Sequence, residues 1–443
     1  MLGDYRIEGR GAADIAASIE RGVGDGALPP GHALPPLRAL AGTLGVNPNT
    51  VAAAYRTLRE RGVVETAGRR GTRVRARPAS TPREAIQVAA PEGGRDIAKG
   101  NPDPALLPSL GPALAEAADR YARRPTLYGE RAVSPELAAL ARAGFDGDGV
   151  PAGPVAVTSG ALDAVERVLT AHLRPGDTVA VEDPGWGSLL DLVPALGLRV
   201  LPVAVDDDGP VPGAVARALE RGARALVVTA RAQNPTGAVV GPERAAALRE
   251  VLAAHPATVL IEDDHGHAIV DQPLHPLCGV TSRWALVRSV AKAYGPDLRL
   301  AVLTGDAVTL DRVEGRQRLG SGWVSRLLQD AVAHLWREGA VDPAAVARAY
   351  GDRRTVLLDA LAARGVRAHG RSGMNVWVPV PDESAAVAGL LRGGWAVAPG
   401  ARFRVATPPA VRLTVSGLDR AALTSLAAAV ATAVHPGEHR RYG

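Results

Sequence analysis

Several residue types are scarce in this chain, and each shortage excludes a class of protein. A single cysteine, Cys278, among 443 residues excludes an internal disulfide framework and a cysteine-rich metal site, and it is typical of a reducing cytoplasm. No run of about 18 apolar residues occurs, so we expect no membrane span. Residues 1–22 carry charges throughout and lack an apolar stretch, so we expect no signal peptide.

Aromatic side chains are also few, at 3% of the chain, whereas hydrophobic residues as a whole make up 47%. The core must therefore consist largely of Ala, Val and Leu, and global disorder or a collagen-like repeat is excluded. At roughly 100–200 residues per domain, the length predicts two or three domains.

Lysine is nearly absent, since Lys99 and Lys292 are the two lysines among 51 basic residues. Compositional bias of the genome accounts for most of this preference for arginine. A lysine that persists in such a background is a candidate for a role that needs a primary amine. The apolar flanks of Lys292 make it such a candidate.

The excess of positive charge is concentrated at one end of the chain. Residues 1–77 contain 12 Arg against 7 Asp and Glu, whereas residues 95–443 are nearly neutral. A basic N-terminal module beside a near-neutral larger one predicts a polyanion as the partner of the smaller module.

The chain is expected to fold as a multi-domain protein. Residues 78–94 are rich in Pro, Ala and Gly and are interpreted as a linker. Residues 95–443 alternate apolar runs with helical stretches, which predicts an α/β fold with a mostly parallel sheet. The runs are VAVTSG, TVAVED, RALVVTA, ATVLIEDD, WALVRSV and LAVLTGD. Over about residues 340–443, a helix (Pro343–Arg364) precedes NVWVPV, WAVAP and VRLTVSG, which predicts a smaller α+β subdomain.

Residues 1–77 show the pattern of a winged helix-turn-helix. The spacing of apolar residues predicts helices over Asp14–Val23, Leu37–Leu44 and Pro48–Arg61, with Gly45 ending the second. The segment VVETAGRRGTRVRA then predicts two short strands around a Gly-Arg-Arg-Gly tip, which would form the wing. The apolar face of the third helix consists of Val51, Ala54, Tyr55 and Leu58.

This segment resembles the winged helix-turn-helix of GntR-type transcription regulators over about residues 10–76, in LPPLRALAGTLGVNPNTVAAAYRTLRERG and in the GRRGT wing. The resemblance implies that the Pro48–Arg61 helix enters the major groove of double-stranded operator DNA. The family often has Arg where this chain has Pro48, which shifts base reading towards Asn49 and Ala52. For Arg56 and Arg59 the alternative is an ordinary solvated helix face. The residues that the resemblance assigns to DNA contact are Arg38, Asn47, Asn49, Thr50, Arg56, Arg69, Arg70 and Thr72.

Two loops after predicted strands carry groups that suit a phosphorylated ring. In VTSGALDAVERVL, Ser159, Gly160 and Ala161 begin a helix, where free amides and the helix dipole favour a phosphate. In RAQNPTGAVV, the side-chain amide of Asn234 can donate to a phenolate-type oxygen. Each motif by itself is also compatible with an ordinary turn.

A third segment, ATVLIEDDHGHAIV, ends an apolar strand in two acids and two histidines. An acid at the end of a strand can hold a protonated pyridine nitrogen. Asp263 and Asp264 with His265 and His267 are also compatible with a metal site, but no further ligand cluster accompanies them in the sequence.

The fourth segment, VRSVAKAYGPDLRLAV, contains Lys292, with Ser289 before it and Arg299 after it. A lysine amine can form a Schiff base with an aldehyde, especially where its surroundings lower its pKa. A solvated surface lysine is the alternative, and both the scarcity of lysine and the apolar flanks speak against it.

Together these segments resemble the fold-type I, pyridoxal 5′-phosphate-dependent aminotransferases of class I and II over about residues 95–443, with NPTG and S-x-x-K-x₆-R as the most specific motifs. The resemblance implies that Lys292 forms the internal aldimine, that Asp263 pairs with the pyridinium nitrogen and that Asn234 bonds the ring hydroxyl oxygen. It also implies that Trp186 stacks on the ring and that Tyr128 reaches the phosphate bound by a partner subunit. The implied phosphate-binding residues are Ser159, Gly160, Ala161, Ser289 and Arg299.

The same resemblance assigns Arg412, in VRLTVSG, to an amino-acid carboxylate held by a bidentate fork. Two positions depart from the family pattern. His265 stands where Tyr usually contacts the ring hydroxyl; it can replace one hydrogen bond but titrates near neutrality, which weakens the expectation of efficient transamination. Leu162 stands where Gln is common, and we expect this change to have a minor effect.

A GntR-type winged helix joined to an aminotransferase-like domain is the architecture of MocR-type regulators, which the chain resembles over nearly its whole length. The resemblance implies a homodimer, for which a domain-swapped arrangement is one option, and a ligand at the cofactor that changes DNA binding. The sequence therefore predicts a regulator that senses a B6 vitamer or an amino compound through an aldimine at Lys292. Two alternatives stay open: a metabolic aminotransferase with an accessory N-terminal domain, and a DNA-binding protein whose aminotransferase fold serves only for dimerisation.

Overall fold

The structure, a computed structural model, describes residues 5–25, 27–60, 63–66, 71–74, 83 and 89–434. The chain divides into two compact units. The smaller comprises Met1–Pro82, Leu173–Thr178 and Asp191–Val200, and the larger comprises Arg83–His172, Val179–Leu190 and Leu201–Gly443. Most of the expected linker, residues 78–82 and 84–88, lies outside the described residues.

The described N-terminal segment folds as a winged helix-turn-helix. Its helices are α1 (Ala12–Gly24), α2 (Leu37–Leu44) and α3 (Pro48–Glu60), and its strands are β1 (Val64–Thr66) and β2 (Thr72–Val74). Helix α2 ends at Gly45, whose φ of +66° is one that a residue without a Cβ adopts at little steric cost. Parts of the predicted pattern lie outside the described residues, namely Arg61 at the end of the third helix and residues 67–70 and 75–76 of the wing, which include Arg69 and Arg70.

Helix α3 is held in this unit by its apolar face. The four residues predicted for that face, Val51, Ala54, Tyr55 and Leu58, are each at most 2% exposed. The Tyr55 hydroxyl donates to the carbonyl oxygen of Pro35 at 2.8 Å, which connects α3 to the segment before α2. Burial raises the pKa of Tyr55, so the hydroxyl keeps its proton. The buried face thus directs the polar face of α3 towards solvent.

The hairpin is tied to the segment that leads into α2. Strands β1 and β2 pair antiparallel, with Val64 opposite Val74. Ala33 forms an antiparallel bridge with Arg73 of β2. The base of the wing is therefore positioned by the backbone that precedes the helix-turn-helix.

An eight-stranded sheet forms the centre of the larger unit, and all six predicted runs contribute strands to it. The strands are β4 (Val155–Thr158), β5 (Thr178–Asp183), β6 (Arg199–Asp206), β7 (Gly209–Pro210), β8 (Ala225–Thr229), β9 (Val259–Asp263), β10 (Arg283–Ser289) and β11 (Ala301–Gly305). Their order is β4-β11-β10-β9-β8-β5-β6-β7. Strands β5, β8, β9 and β10 run parallel to one another, whereas β11 is antiparallel to both of its neighbours.

Every residue of β8 and β9 is buried, which requires cover on both faces of the sheet. Helices alternate with the strands along the chain, as the sequence predicted. They are α4 (Gly111–Arg123), α5 (Pro135–Gly147), α6 (Ala161–His172), α7 (Gly187–Ala195), α8 (Pro212–Glu220), α9 (Pro242–Ala253), α10 (Ala291–Tyr294), α11 (Ala307–Arg318) and α12 (Arg326–Arg337).

The last hundred residues form a smaller α+β subdomain with its own apolar core. Its elements are α13 (Pro343–Ala362), β12 (Asn375–Pro379), α14 (Glu383–Arg392), β13 (Trp395–Ala396), β14 (Ala398–Pro399), β15 (Ala410–Thr414) and α15 (Arg420–Val434). An antiparallel sheet of order β12-β15-β14 lies at its centre, and β13 pairs in parallel with the earlier strand β3 (Arg95–Asp96).

The topology brings separate sequence motifs to one edge of the large sheet. Strands β4, β9 and β10 point the same way, so the loops that follow them leave from the same edge. Ligands of open α/β sheets bind at this carboxyl edge. Within the described part of the chain, no helix is long and apolar enough to cross a bilayer.

Candidate functional site

A cavity of about 430 Å³ lies in the larger unit, within the size range of small-molecule sites. Most of the residues that the sequence singled out line it together. They are Gly160, Ala161, Trp186, Asn234, Asp263, His265, Ser289, Lys292, Arg299 and Arg412. Two others assigned to the cofactor, Ser159 and Tyr128, do not line it. Ser159 is exposed next to the cavity. Tyr128 is 92% exposed, and its ring contacts Trp323 edge to face with 5.5 Å between the ring centres.

Lys292 lies in the short helix α10, directly after β10, and is half-buried in the cavity wall. Its Nζ donates to the carbonyl oxygen of Gly100 at 2.7 Å. Gly100 has a φ of +66°, and a Cβ there would lie 3.0 Å from Nη2 of Arg412. A glycine is therefore needed at the position that receives the lysine amine.

Asp263 ends β9 and is only 3% exposed. One of its carboxylate oxygens, Oδ2, is 2.7 Å from Nδ1 of His265. The other, Oδ1, is buried and has no hydrogen-bond partner among the residues that the structure describes. A buried carboxylate oxygen without a donor is costly, so this atom fits a ligand that brings a cationic N–H group. The residues present therefore fit a protonated pyridine ring.

His265 has an acceptor at each ring nitrogen. Nδ1 lies 2.7 Å from Asp263, and Nε2 lies 3.0 Å from the carbonyl oxygen of Ala232. Burial acts to lower the pKa of His265, but the Asp263 carboxylate outweighs burial and the pKa is raised. The sequence suggested that this histidine substitutes for a tyrosine that bonds a ring hydroxyl; in the structure its nitrogens are directed to Asp263 and Ala232 instead.

A second part of the cavity lining is suited to an anion. Helix α6 begins at Ala161, directly after Gly160, whose φ is +97°. A Cβ at Gly160 would lie 3.4 Å from Nη2 of Arg299, and the same nitrogen is 3.4 Å from the carbonyl oxygen of Ser159. A helix N-terminus beside a guanidinium group, with Ser289 on the wall, is an arrangement that binds phosphate.

Asn234 and Arg412 meet on a further side of the cavity. Nη1 of Arg412 donates to Oδ1 of Asn234 at 3.0 Å, and Nη2 donates to the carbonyl oxygen of Ala98 at 2.6 Å. Arg412 is 4% exposed, and its guanidinium carbon lies 4.7 Å from the centre of the Phe403 ring. The hydrogen bond from Arg412 orients the side-chain amide of Asn234 and leaves the amide nitrogen for an acceptor in the ligand.

Some cavity residues escaped the sequence analysis. Arg402 lines the wall at 3% exposure and donates to the Ala98 carbonyl oxygen at 3.3 Å. Asn375 and Ser188 also line it. In a chain with 49 arginines nothing in the sequence distinguishes Arg402. Asn375 begins the run NVWVPV and Ser188 lies two residues after Trp186, but neither was assigned a role from the sequence.

An ion-pair network lies beside the candidate site rather than in it. Arg231 donates to both carboxylate oxygens of Asp264 at 2.8 Å, and Nε of Arg288 donates to Oδ2 at 3.0 Å. Burial acts to raise the pKa of Asp264, but the two arginines outweigh it and lower the pKa. Asp148, Asp264 and His267 could converge on a metal ion. However, both oxygens of Asp264 already accept from arginine, and Asp148 pairs with Arg288, so these carboxylates already have cationic partners. Burial and Arg288 lower the pKa of His267 to about 3, which keeps its ring neutral.

The described residues that the resemblance assigns to DNA contact lie mostly on the surface of the smaller unit. Arg38, Asn49 and Arg56 are exposed, and Thr50 and Thr72 are half-buried. Asn47 is exposed as well, but its Oδ1 accepts from the backbone amide of residue 49 at 2.8 Å and so caps α3. Its candidate role in DNA contact therefore falls to the amide nitrogen.

Comparison with known proteins finds a matching family for each of the two parts of the chain. The GntR family of bacterial regulatory proteins matches residues 12–74, and the aminotransferase class I and II family matches residues 96–430. The chain is 40% identical to the vitamin B6 salvage pathway transcriptional repressor PtsJ of Salmonella typhimurium, over 97% of this chain and 100% of that protein. It is 29% identical to the HTH-type pyridoxine biosynthesis transcriptional regulator PdxR of Corynebacterium glutamicum, over 78% of each.

Among solved structures, aspartate aminotransferase from Thermus thermophilus with maleate matches the chain with a TM-score of 0.67 at 27% identity, covering 77% of this chain and 92% of that one. Both families thus match in the order that the sequence suggested, and PtsJ matches along its whole length. The chain therefore belongs to the MocR-type transcription regulators, in which a GntR-family DNA-binding domain precedes an aminotransferase class I and II domain, and this membership implies pyridoxal 5′-phosphate as the cofactor.

Proposed function

We propose that the chain is a transcription regulator whose affinity for its operator changes when a ligand is captured at Lys292, the ligand being a B6 vitamer or an amino compound. The observation that carries the proposal is the convergence of Lys292, Asp263, Asn234 and Arg299 on one cavity in a chain that also has a winged helix-turn-helix. A ligand shifts DNA binding only if it binds two states of the protein with different affinity.

Several residues in or next to the cavity have a proposed role toward the cofactor, which supplies an aldehyde and an electron-withdrawing ring when bound. Lys292 would supply a primary amine for the aldehyde carbon. Asp263 would accept the ring N–H, Asn234 would donate to the ring hydroxyl oxygen, and Trp186 would cover one face of the ring. The phosphate would be held by the N-terminus of α6 and nearby residues, namely Ser159, Gly160, Ala161, Ser289 and Arg299.

The smaller unit is proposed to read the operator through α3. Arg38 and Arg56 are exposed cations that can neutralise phosphates, and Asn49 lies at the exposed start of α3, where side chains reach base edges. Thr50, Thr72 and the amide of Asn47 would add backbone contacts. Arg69 and Arg70 are assigned to the wing tip from the sequence only.

We also propose a homodimer. Tyr128 is 92% exposed and Leu127 is 66% exposed in adjacent positions, and Leu319 is 91% exposed. Large apolar side chains with this exposure favour a protein partner, and a second copy would let Tyr128 reach the cofactor phosphate of its partner.

A regulator of DNA acts where the chromosome lies, so we expect the chain to work in the cytoplasm.

The relative PtsJ is a repressor of vitamin B6 salvage, and this supports a B6 vitamer as the effector.

A metabolic aminotransferase is the second candidate function. The observation that favours it is Arg412, which lies in the cavity beside Asn234, where a substrate carboxylate could be held. Turnover with several amino donors and keto acids, without site-specific and salt-sensitive DNA binding, would establish the enzyme instead.

The proposal is tested by adding pyridoxal phosphate to the purified chain and then footprinting the intergenic region next to its own gene. We expect an absorbance band from the covalently bound cofactor and a protected DNA segment whose affinity changes with the cofactor. A chain that shows no absorbance change would refute the proposal. A chain that shows the band but the same footprint with and without cofactor would refute the ligand response.

A further inference from the structure

The candidate site contains a hydrogen-bond arrangement that the proposed roles do not use. His265 follows Asp263 by two residues, and its two ring nitrogens are 2.7 Å from Asp263 Oδ2 and 3.0 Å from the carbonyl oxygen of Ala232. A carbonyl oxygen has only lone pairs to offer, so Nε2 must carry a proton to bond it. An ionised carboxylate likewise accepts, so Nδ1 must donate. Both bonds together require the doubly protonated, positively charged ring.

The acceptor at Nε2 is set by the fold. Ala232 has a φ of +54°, unusual for a residue with a Cβ. Its amide donates to Oγ of Ser372 at 3.0 Å, and that hydroxyl donates in turn to the carbonyl oxygen of Gly237 at 2.9 Å. A Cβ at Gly373 would lie 2.6 Å from the Cβ of Ala232. The carbonyl that receives His265 is therefore held in place by close packing against Gly373 and by the hydrogen bonds through Ser372.

The electrostatics of the site agree with this protonation state. Burial disfavours the charged ring and Lys292 also acts to lower its pKa, whereas Asp263 and the Ala232 carbonyl raise it; the net shift in the pKa of His265 is upward. Arg299 and Arg412 line the same cavity. The negative charge next to His265 is that of Asp263. The side chain of His265 is 18% exposed and that of Asp263 is 4% exposed.

The two oxygens of Asp263 consequently have different surroundings. Oδ2 is occupied by the imidazolium, while Oδ1 has no hydrogen-bond partner in the described part of the chain. A carboxylate anchored through one oxygen cannot rotate freely, so the other oxygen keeps a defined position.

We propose that His265 is a positioning residue, which acts on the cofactor through Asp263: it anchors Oδ2 so that Oδ1 accepts the ring N–H, and it does not donate to the ring hydroxyl oxygen. This inference rests on the proposed cofactor site. It also gives the histidine a function different from that of the tyrosine usual in the family, because a tyrosine that bonds the ring hydroxyl is not directed to Asp263.

A double-mutant cycle distinguishes action through Asp263 from direct contact with the cofactor. We expect His265→Phe to weaken pyridoxal phosphate binding about tenfold, the size of one charge-assisted hydrogen bond. In an Asp263→Ala background the same substitution should change the dissociation constant less than twofold. His265→Tyr should remain as weak as His265→Phe. A full tenfold effect in the Asp263→Ala background, or recovery by His265→Tyr, would overturn the inference.

His369→Phe is the matched control, because Nδ1 of His369 lies 3.0 Å from Asp207 Oδ1 outside the cavity. It should leave cofactor affinity unchanged. A loss equal to that of His265→Phe would show that removal of any such pair disturbs the fold, and would count against the inference.

A second measurement is made on the chain without cofactor, so it does not depend on cofactor binding by any variant. In the ¹⁵N NMR spectrum of the histidine-labelled wild-type chain at pH 7, the signal that His265→Gln removes should show both ring nitrogens protonated. A ring with one unprotonated nitrogen would refute the positioning role. If wild type shows the imidazolium but no absorbance change with pyridoxal phosphate, the proposed function fails while the Asp263–His265 pair is confirmed.

Discussion

The two units of this chain present their candidate functional residues in opposite ways. In the smaller unit, Asn49 and Arg56 lie exposed on a single helix, and burial of the opposite face alone directs them to solvent. In the larger unit, Asp263 and Lys292 follow different strands and meet in a cavity. A DNA surface can thus be built from one amphipathic helix, whereas a cofactor site needs the topology of a sheet. Substitutions should therefore affect the two functions separately.

The largest separation is expected for Lys292→Ala. Without the amine no covalent bond to the cofactor forms, so the absorbance band of the bound cofactor should be lost completely. DNA binding measured without cofactor should be unchanged, because α3 is untouched. Lys99→Ala is the control: Lys99 also lines the cavity, but its amine pairs with Asp96 at 3.1 Å, so this variant should keep the band. A Lys292→Ala chain that keeps the band would refute the assignment.

The reverse separation is expected for Leu58→Ala. Leu58 is fully buried in the core of the winged helix, and truncation of a buried leucine costs about 2–5 kcal/mol. A small domain loses most of its stability in this way. Site-specific DNA binding should fail on mild heating while the cofactor band persists, as followed by anisotropy and absorbance in one sample. Simultaneous loss of both signals would show that the units unfold together.

Glu262 should contribute to a pH dependence of the stability of the larger unit. Burial raises the pKa of this carboxyl to about 7, although the backbone amides of Leu277 and Cys278 donate to it. Because the folded state holds the proton more tightly than the unfolded state, this contribution to stability is complete below about pH 4.5 and is lost as the pH rises to about 7. Its size is about 3 kcal/mol.

Glu262→Gln should reduce this loss of stability. Urea unfolding at pH 5 and pH 8, followed through the absorbance band of the cofactor bound in the larger unit, measures the difference in stability between the two pH values. Glu250→Gln, on an exposed position of α9, is the control. An equal pH dependence in wild type and in Glu262→Gln would contradict the role assigned to this buried acid.

The smallest expected effect is that of Arg56→Ala. Loss of one phosphate contact should weaken operator binding by about tenfold and reduce the slope of log affinity against log salt by about one. Cofactor binding should not change. Arg21→Ala, at the exposed end of α1, provides the control. An unchanged salt slope would mean that Arg56 faces solvent and not DNA.

Local patterns predicted much of this structure. The apolar spacing in α3 predicted its buried face, and Gly45 predicted the end of α2, since both depend on neighbours within a few residues. The scarcity of lysine directed attention to Lys292. Arg402 could not be recognised in this way, because its place in the cavity depends on packing between segments far apart in the chain.

The amino-acid sequence by itself determined the two-part organisation and the strand and helix pattern, because hydrophobic periodicity encodes them locally. Short motifs and the family resemblance identified ten of the residues that line the cavity. Only the tertiary structure decided that Lys292 meets the carbonyl of Gly100 and that His265 lies between Asp263 and Ala232. These contacts join loops that follow different strands, and their distances depend on the register of the sheet and on close backbone approaches that no short stretch of sequence specifies.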